Sequence, residues 1–227
     1  MKIEEEIENC EIYLKRIKQY DPEPFYVDYF LNKYIISIKR IKNQIFDEAS
    51  IDFGLFVSEN VTEQKFFEKA KLKEDKNAIK FSEWFVQKYI EKHKNPNPNI
   101  MRKICLFEEK FKRLPEIKIM IRASNRYKDD IKQEIRVSLR QMKLRIREEL
   151  DIEIKRQSSA FLEIINNKRN KNNEPKIKRN QIIASACMDI EEFQNCEISY
   201  ISEIYIETVK QLVDDSREKI RELTKHV

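Results

Sequence analysis

The chain has 227 residues and is long enough to bury a complete core as one large domain or two small ones. It contains a single glycine, which excludes a glycine-rich phosphate loop and disfavours folds that depend on tight glycine turns. Charged residues make up 37% of the chain and the net charge is +5, a mildly basic balance that permits contact with nucleic acid.

Apolar residues spaced by three and four predict two amphipathic helices at the start of the chain. The first covers about residues 2–20 and the second about residues 25–48, and the prolines between them end the first helix. The second helix begins with Tyr26, Tyr29 and Phe30, which we expect to pack in the core.

Further helices are predicted in the next part of the chain. Thr62 has the residue type and the position of a helix N-cap. Two helices follow over about residues 81–92 and 100–114, separated by an Asn-Pro-Asn-Pro-Asn break. Residues 117–121 are expected to continue as a short helix that carries Arg122.

Residues 128–157 carry two hydrophobic patterns at once. Ile131, Ile135 and Leu139 fit a helical stripe, whereas Ile135, Val137 and Leu139 also alternate as in a strand. The abundance of Glu, Lys, Arg and Leu favours helix, and two or three strands are the alternative. Either form would place the same cations on an exposed side: Arg136, Arg140, Lys143 and Arg147.

The last part of the chain combines a polar segment with a long helix. Residues 166–180 are rich in Asn, Lys and Arg, which predicts a mobile basic loop. Apolar spacing predicts a closing helix over about residues 189–225.

Together these elements predict a mainly α fold, an antiparallel helical bundle that can include a small β hairpin or sheet within residues 131–183. The predicted domains are a helical core at residues 1–127, a basic helical or β insertion at 128–188 and a closing helix at 189–227. We expect the closing helix to pack on the core.

The cysteines and the N-terminus indicate the compartment. The four cysteines are widely spaced, which predicts reduced core thiols rather than a zinc site: Cys10, Cys105, Cys187 and Cys196. The sequence has no apolar signal segment and no apolar run long enough to span a membrane. We therefore expect a cytoplasmic protein without metal, cofactor or membrane contact.

Two parts of the chain resemble the HEPN-like family of helical proteins. The aromatic run Tyr26-Val-Asp-Tyr-Phe-Leu31 is similar to the second helix of that family, and the helices after it follow at comparable distances. The family carries an Arg-polar-x-x-x-His motif, onto which the segment Arg122-Ala-Ser-Asn-Arg-Tyr127 can be placed. Arg122 then falls on the arginine and Tyr127 on the histidine.

The resemblance implies a homodimeric helical bundle with two facing motifs, in a defence or toxin–antitoxin setting with RNA and an antitoxin-like protein as partners. Many HEPN-like proteins are metal-independent ribonucleases, whose histidine exchanges protons near neutral pH while the arginine holds phosphate charge. An unperturbed tyrosine titrates near ~10, so Tyr127 is a poor base and activity is expected to be lost. The interpretation is a catalytically degenerate protein that binds RNA or a partner protein. Its phosphate- or RNA-binding candidates are Arg122, Arg126, Tyr127, Arg136, Arg140, Lys143 and Arg147.

Two other interpretations stay open. A literal copy of the motif, Arg221-Glu-Leu-Thr-Lys-His226, would make Arg221 and His226 the catalytic pair of a metal-independent ribonuclease. Its position at the end of the chain, where helices fray, favours an ordinary basic helix end. A helical scaffold or self-associating protein without a nucleic-acid role fits the same composition.

Overall fold

The computed structural model describes residues 2–55, 61–91, 93–123, 132–135 and 147–225, with only the backbone of 132–135 and 147. The α-helices within these residues are α1 Ile3–Tyr20, α2 Pro24–Asp52, α3 Glu63–Leu72, α4 Lys76–Ile90, α5 Pro96–Phe111, α6 Arg147–Lys171 and α7 Ile198–Thr224. One sheet contains the strands β1 Ile117–Ala123, β2 Lys132–Ile135, β3 Ile182–Ile190 and β4 Phe193–Glu197. The fold is mainly α with a small sheet, which confirms the predicted class.

The helices predicted before residue 115 are present as α1, α2, α4 and α5. Thr62 is the N-cap of α3, because its side chain accepts a hydrogen bond from the Lys65 amide. The helix α5 starts at Pro96, inside the predicted break. Proline suits the first helical turn because the N–H groups there have no partner within the helix.

The sheet is antiparallel and has the strand order β2-β1-β3-β4. A sheet was predicted within residues 131–183. Most of the observed sheet lies outside that range, which excludes all of β1, all of β4 and most of β3. The closing helix begins at Ile198 instead of residue 189, since the β3–β4 hairpin occupies the residues before it. Within the ambiguous segment 128–157, the described residues contain both a strand, β2, and the start of a helix, α6.

The segment predicted to be a short helix at 117–121 is the strand β1. Ile117, Ile119 and Ile121 are buried, and the residues that alternate with them include the half-buried Lys118 and Arg122. β-Branched side chains at every second position suit a pleated strand better than a helix. The helix prediction is wrong because this period of two decides the structure of so short a segment.

The chain divides into two compact units. The first comprises residues 1–14, 32–102 and 202–227, and the second comprises residues 15–31 and 103–201. The boundaries fall within α1, α2, α5 and α7, so they differ from the domain boundaries predicted at 127 and 188.

An aromatic cluster forms the centre of the first unit. The Phe46 ring centroid lies 4.7 Å from that of Phe85 and 5.4 Å from that of Phe66, and all three side chains are fully buried. Tyr34 is buried as well, and its hydroxyl donates to the Ser202 carbonyl oxygen over 2.9 Å. Aromatic pairs at these distances stabilise a core beyond the area they bury.

In the second unit, α6 packs on one face of the sheet. Phe161 and Ile165 of α6 form a buried cluster with Ile119 and Ile121 of β1, and Ile177 completes it. Each such side chain contributes about 1.5–3 kcal/mol when it is fully removed from water. The cluster fixes both the position of α6 and the chain segment that follows it.

The aromatic residues at the start of α2 do not all lie in the core. Tyr26 and Tyr29 are exposed, whereas Val27 and Leu31 are buried. The Glu23 carboxylate accepts a hydrogen bond from the Tyr26 amide over 2.9 Å, which fixes the first turn. The core prediction is wrong for Tyr26 and Tyr29. Apolar residues occur all round this turn, and the side that faces the core is the one with Val27 and Leu31.

Candidate functional site

Arg122, the first residue of the predicted phosphate site, lies near the end of β1. Its guanidinium forms an ion pair with the Glu197 carboxylate at the end of β4, and each side chain is 22% exposed. The strand registers place Arg122 and Glu197 on the same side of the sheet as Cys187. The positive charge of Arg122 is therefore neutralised within the chain.

The Asp21 carboxylate lies close to this ion pair. It accepts hydrogen bonds from the Ala186 amide over 2.6 Å and from the Ser199 hydroxyl over 3.1 Å. Burial, reinforced by the negative charge of Glu197, raises the pKa of Asp21 from 3.8 to about 6. The two hydrogen bonds favour the ionised form but do not outweigh burial.

These groups make a poor binding site for an anion. Arg122 is the cation in a cluster that also holds the Asp21 and Glu197 carboxylates, and both carboxylates act with burial to raise the pKa of the Cys187 thiol to about 12. A phosphate at Arg122 would lie beside the Glu197 and Asp21 carboxylates, whose negative charges oppose its binding. The phosphate-binding role of Arg122 stays a prediction.

Most of the other predicted site residues lie outside the described residues: Arg126, Tyr127, Arg136, Arg140, Lys143 and His226. Arg147 is the first residue of α6, and only its backbone is described. Arg221 lies exposed near the end of α7. The roles assigned to these residues, including the Arg221–His226 pair, stay predictions.

The segment predicted to be a mobile loop, residues 166–180, is folded. We call it the basic tip. Its first part belongs to α6, which continues to Lys171. The Asn166 side chain then binds the returning chain at two points: its Nδ2 donates to the Ile177 carbonyl oxygen over 3.0 Å, and its Oδ1 accepts from the Ile177 amide over 2.7 Å. These bonds hold Ile177 in the core cluster.

Arg169 fixes the turn between Asn166 and Ile177. Its side chain is 6% exposed, donates from Nε to the Pro175 carbonyl oxygen over 2.7 Å and pairs with Glu174 at 3.2 Å. The Arg169 carbonyl oxygen accepts from the Asn172 and Glu174 amides. Asn173 has a φ of 56°, which asparagine tolerates better than most residues. The loop prediction is wrong for residues 166–171, which belong to α6, whereas residues 172–178 form a connection without helix or strand, as predicted. The mobility of that connection stays a prediction.

The remaining cations of the basic tip are directed to solvent. All five are exposed and, within the described residues, none forms an ion pair: Lys168, Lys171, Lys176, Lys178 and Arg179. The single carboxylate of the tip, Glu174, already pairs with Arg169. The tip therefore concentrates positive charge on a fixed backbone. Part of this charge also stabilises α6, since cations at a helix C-terminus interact favourably with the helix dipole.

A groove of about 810 Å³ lies in the first unit between the end of α4, the start of α5 and α7. The hydroxyl oxygens of Tyr89 and Tyr205 lie 3.4 Å apart there, and Arg102 donates to the Tyr89 carbonyl oxygen. Basic residues on the α4–α5 side face acidic residues on α7, and Lys88 pairs with Asp215 at 3.4 Å. The groove therefore favours neither an anionic nor a cationic ligand. Sequence spacing could not reveal it, because its two sides are far apart in the chain.

Two absences apply to the described residues alone. None of their helices is long and apolar enough to cross a membrane. No group of their His, Cys, Asp and Glu side chains is arranged to hold a metal ion.

The fold and these sites define a mainly helical protein with a four-stranded antiparallel sheet and a basic tip at the end of α6. Comparison of the chain with protein-family models, with characterised proteins and with solved structures found no match. Any assignment of function must therefore depend on the geometry of the chain itself.

Proposed function

We propose that the protein binds RNA through the basic tip and does so without cleaving it. The observation that supports this function is the fixed framework of the tip, in which Asn166 and Arg169 use their side chains internally while five other cations face solvent. Lysine and arginine side chains that contact phosphates release counterions, and this release supplies most of the affinity for a nucleic-acid backbone.

The framework matters because a preformed surface loses less conformational entropy on binding than a loop that must first become ordered. The tip also exposes several asparagine side chains that can donate to phosphate and sugar oxygens: Asn167, Asn170, Asn172, Asn173 and Asn180. Such contacts recognise the backbone and not a base sequence, so we expect weak sequence preference.

The HEPN-like assignment is part of this proposal only in naming RNA as the ligand and in expecting no cleavage. The contact between Arg122 and Glu197 gives it no additional support, because that guanidinium is already paired. Arg122 is therefore expected to contribute less to RNA affinity than the cations of the basic tip.

The proposal is tested by titrating a fluorescent single-stranded RNA of mixed sequence with the whole chain over a series of salt concentrations. The test variant changes the cations beyond α6 in one protein: Lys176→Gln, Lys178→Gln and Arg179→Gln. Its matched control removes the same charge from exposed lysines of the first unit: Lys65→Gln, Lys76→Gln and Lys80→Gln.

We expect the tip variant to bind roughly tenfold or more weakly at low salt, and its slope of log affinity against log salt to fall by about 2, since each lost phosphate contact with single-stranded RNA removes about 0.7. The control variant should bind nearly as the parent does. Equal losses in both variants would mean that only net charge matters, and the proposal would fail.

Integrity of the RNA after each titration distinguishes binding from cleavage. We expect the RNA to stay intact in the presence of a chelator. Cleavage that is abolished by His226→Ala would instead indicate the ribonuclease built on Arg221 and His226.

A further inference from the structure

Five aromatic side chains form a cluster on the surface of the second unit, where α1 ends and α2 begins. Phe25 and Tyr26 are each 42% exposed, and Tyr29 is 51% exposed. Tyr20 and Phe30 are half-buried. We call these five residues the aromatic face. Within residues 15–31, all of which the structure describes, every exposed large apolar side chain is aromatic.

The rings of the aromatic face hold one another in place. The Tyr20 ring centroid lies 4.6 Å from that of Tyr26 and 5.6 Å from that of Phe30, and the planes of Tyr20 and Phe30 are inclined by only 19°. Phe25 meets Tyr26 edge to face at 5.4 Å, and Tyr29 meets Phe30 in the same way at 5.2 Å. Because the rings are already ordered, a ligand that contacts them costs little conformational entropy.

The four aromatic residues of α2 lie on one side of that helix. At about 100° per residue they span an arc of about 140°, with Phe25 and Phe30 at its edges. Val27 and Leu31 lie outside the arc, and both are buried. The aromatic face is therefore presented to solvent as one surface.

Cations on α1 accompany the aromatic face. Residues 12–20 contain no carboxylate and three exposed cations: Lys15, Arg16 and Lys18. Arg16 lies four residues before Tyr20 and so projects from the same side of α1. Its Nη1 donates to the Gln19 Oε1 over 2.8 Å, and a guanidinium has further N–H donors for an anion.

The carboxylates of the same part of the chain are engaged or disfavoured as anions. Asp21 accepts two hydrogen bonds from within the second unit. Glu23 accepts from the amides of Phe25 and Tyr26 over 3.1 and 2.9 Å. Asp28 lies outside the aromatic arc, and burial raises its pKa, which favours the neutral carboxyl. The exposed charge at the edge of the aromatic face therefore comes mainly from the cations of α1.

We propose that the aromatic face stacks on unpaired bases of RNA, so that single-stranded RNA is the class of RNA that this protein binds. Aromatic side chains stack on any base, because every base has a π face, and nearby cations hold the phosphates between the bases. A duplex does not offer its bases in this way, since they are already paired and stacked. A lipid surface or an apolar protein partner would be contacted equally well by aliphatic side chains, none of which is exposed here.

The test compares two RNAs, because this proposal rests on the RNA binding proposed for the basic tip. The whole chain is titrated with a fluorescent single-stranded RNA of mixed sequence and with a duplex of the same length. The test variant, Phe25→Leu with Tyr29→Leu, removes two exposed rings and keeps apolar side chains in their place. Its matched control, Phe25→Tyr with Tyr29→Phe, keeps both rings. Circular dichroism and urea unfolding check that each variant is folded.

We expect the leucine variant to bind single-stranded RNA roughly fivefold or more weakly, because base–aromatic stacking is lost. Its affinity for the duplex should equal that of the parent. The slope of log affinity against log salt should also stay unchanged, because no charge is altered, whereas the variant of the basic tip lowers that slope. The control variant should bind both RNAs as the parent does.

The outcomes separate the two proposals. A parent chain that binds neither RNA would overturn both of them. If the tip variant weakens binding as expected but the leucine variant binds single-stranded RNA like the parent, only the stacking proposal fails. Equal losses for single-stranded and duplex RNA, or a loss in the control variant that keeps both rings, would also overturn it.

Vesicles of phosphatidylcholine and phosphatidylserine probe a lipid surface as the other occupant. We expect the parent chain not to sediment with them. Sedimentation that the leucine variant loses, together with unchanged binding of single-stranded RNA, would assign the aromatic face to a membrane and overturn the proposal.

Discussion

At the scale of single residues, Asp21 is the described carboxylate whose pKa the fold raises most. Its pKa is raised from 3.8 to about 6, so the folded state prefers the protonated form. The stability contributed by this preference is fully present below pH 3.8 and is lost as the pH rises toward 6. The difference amounts to roughly 2–3 kcal/mol between those limits.

The variant Asp21→Asn should remove this dependence. Its amide oxygen can still accept from the Ala186 amide, and its nitrogen can donate to the Ser199 hydroxyl, which turns to accept. We expect urea unfolding to find the variant more stable than the parent at pH 7 by about 1–3 kcal/mol, and equally stable at pH 3.5. The exposed carboxylate Asp214, changed to Asn, serves as the control and should show no such gain. A parent and an Asp21→Asn variant with parallel pH profiles would contradict the assignment.

Asn166 is a second residue with a specific role, because its side chain both donates to and accepts from the backbone of Ile177. The variant Asn166→Ala loses both bonds to Ile177 and should unfold about 1–2 kcal/mol more easily. Hydrogen exchange at the Ile177 amide should also become faster. The neighbouring exposed residue Asn167, changed to Ala, should leave both measurements unchanged. Unaltered exchange at Ile177 in Asn166→Ala would show that the basic tip is held by other contacts.

At the scale of elements, the ion pair between β1 and β4 gives a third prediction. The variant Arg122→Met leaves the half-buried Glu197 carboxylate without this partner, and we expect it to cost about 1–3 kcal/mol of unfolding free energy. Adding Glu197→Gln should recover more than half of the loss, because the uncompensated charge is then removed. Denaturant unfolding of the two single variants and the double variant measures this coupling. Additive losses would mean that the pair contributes no mutual stabilisation.

Sequence patterns predicted the helices α1, α2, α4, α5 and α7 well, but they left α6 undecided and missed most of the sheet, for identifiable reasons. A helix such as α7 repeats its apolar spacing over many turns, so local exceptions do not obscure it. β1 is short, and its alternating isoleucines are bounded by residues that suit a helix equally well. The β3–β4 hairpin turns at Glu191 and Glu192, with Glu191 at a φ of 52°, and lacks the Asn or Gly that usually marks such a turn. Lys103 lies against both carboxylates there, a contact no local pattern could reveal.

The candidate site was only partly predictable. The cations of residues 166–180 are visible in the sequence, but the composition of this segment predicts a mobile loop. Contacts between side chains and the backbone hold this segment in place, such as the hydrogen bond from Arg169 to the Pro175 carbonyl oxygen. Amino-acid composition alone does not predict such contacts. Arg122 was identified from a motif, and its partner Glu197 lies too far along the chain to be inferred from the motif itself.

At the scale of the whole molecule, the cysteines are all free and buried. Burial raises the pKa of the Cys187 thiol to about 12 and that of Cys196 to about 11. Because the thiolate is the reactive form, roughly a thousandth or less of these two groups is reactive at pH 8. We expect a thiol-specific reagent to label the native protein very slowly and to label all four cysteines in denaturant.

The variant Ser159→Cys provides a matched control for this fourth prediction, since it introduces an exposed thiol into the same protein. That thiol should react quickly while the native four do not. Fast labelling of the unmodified native chain would mean that the folded protein often exposes these buried cysteines to the reagent, and the prediction would be wrong.

The division into two units has a practical consequence for anyone who wishes to dissect the protein. Four helices, α1, α2, α5 and α7, each contribute residues to both units, so neither unit is a continuous piece of chain. A fragment made by truncation near residue 102 or 201 would cut through a helix and remove segments on which the remainder packs. We therefore expect such fragments to be insoluble or unfolded, and a dissection that preserves the fold must proceed by point substitution.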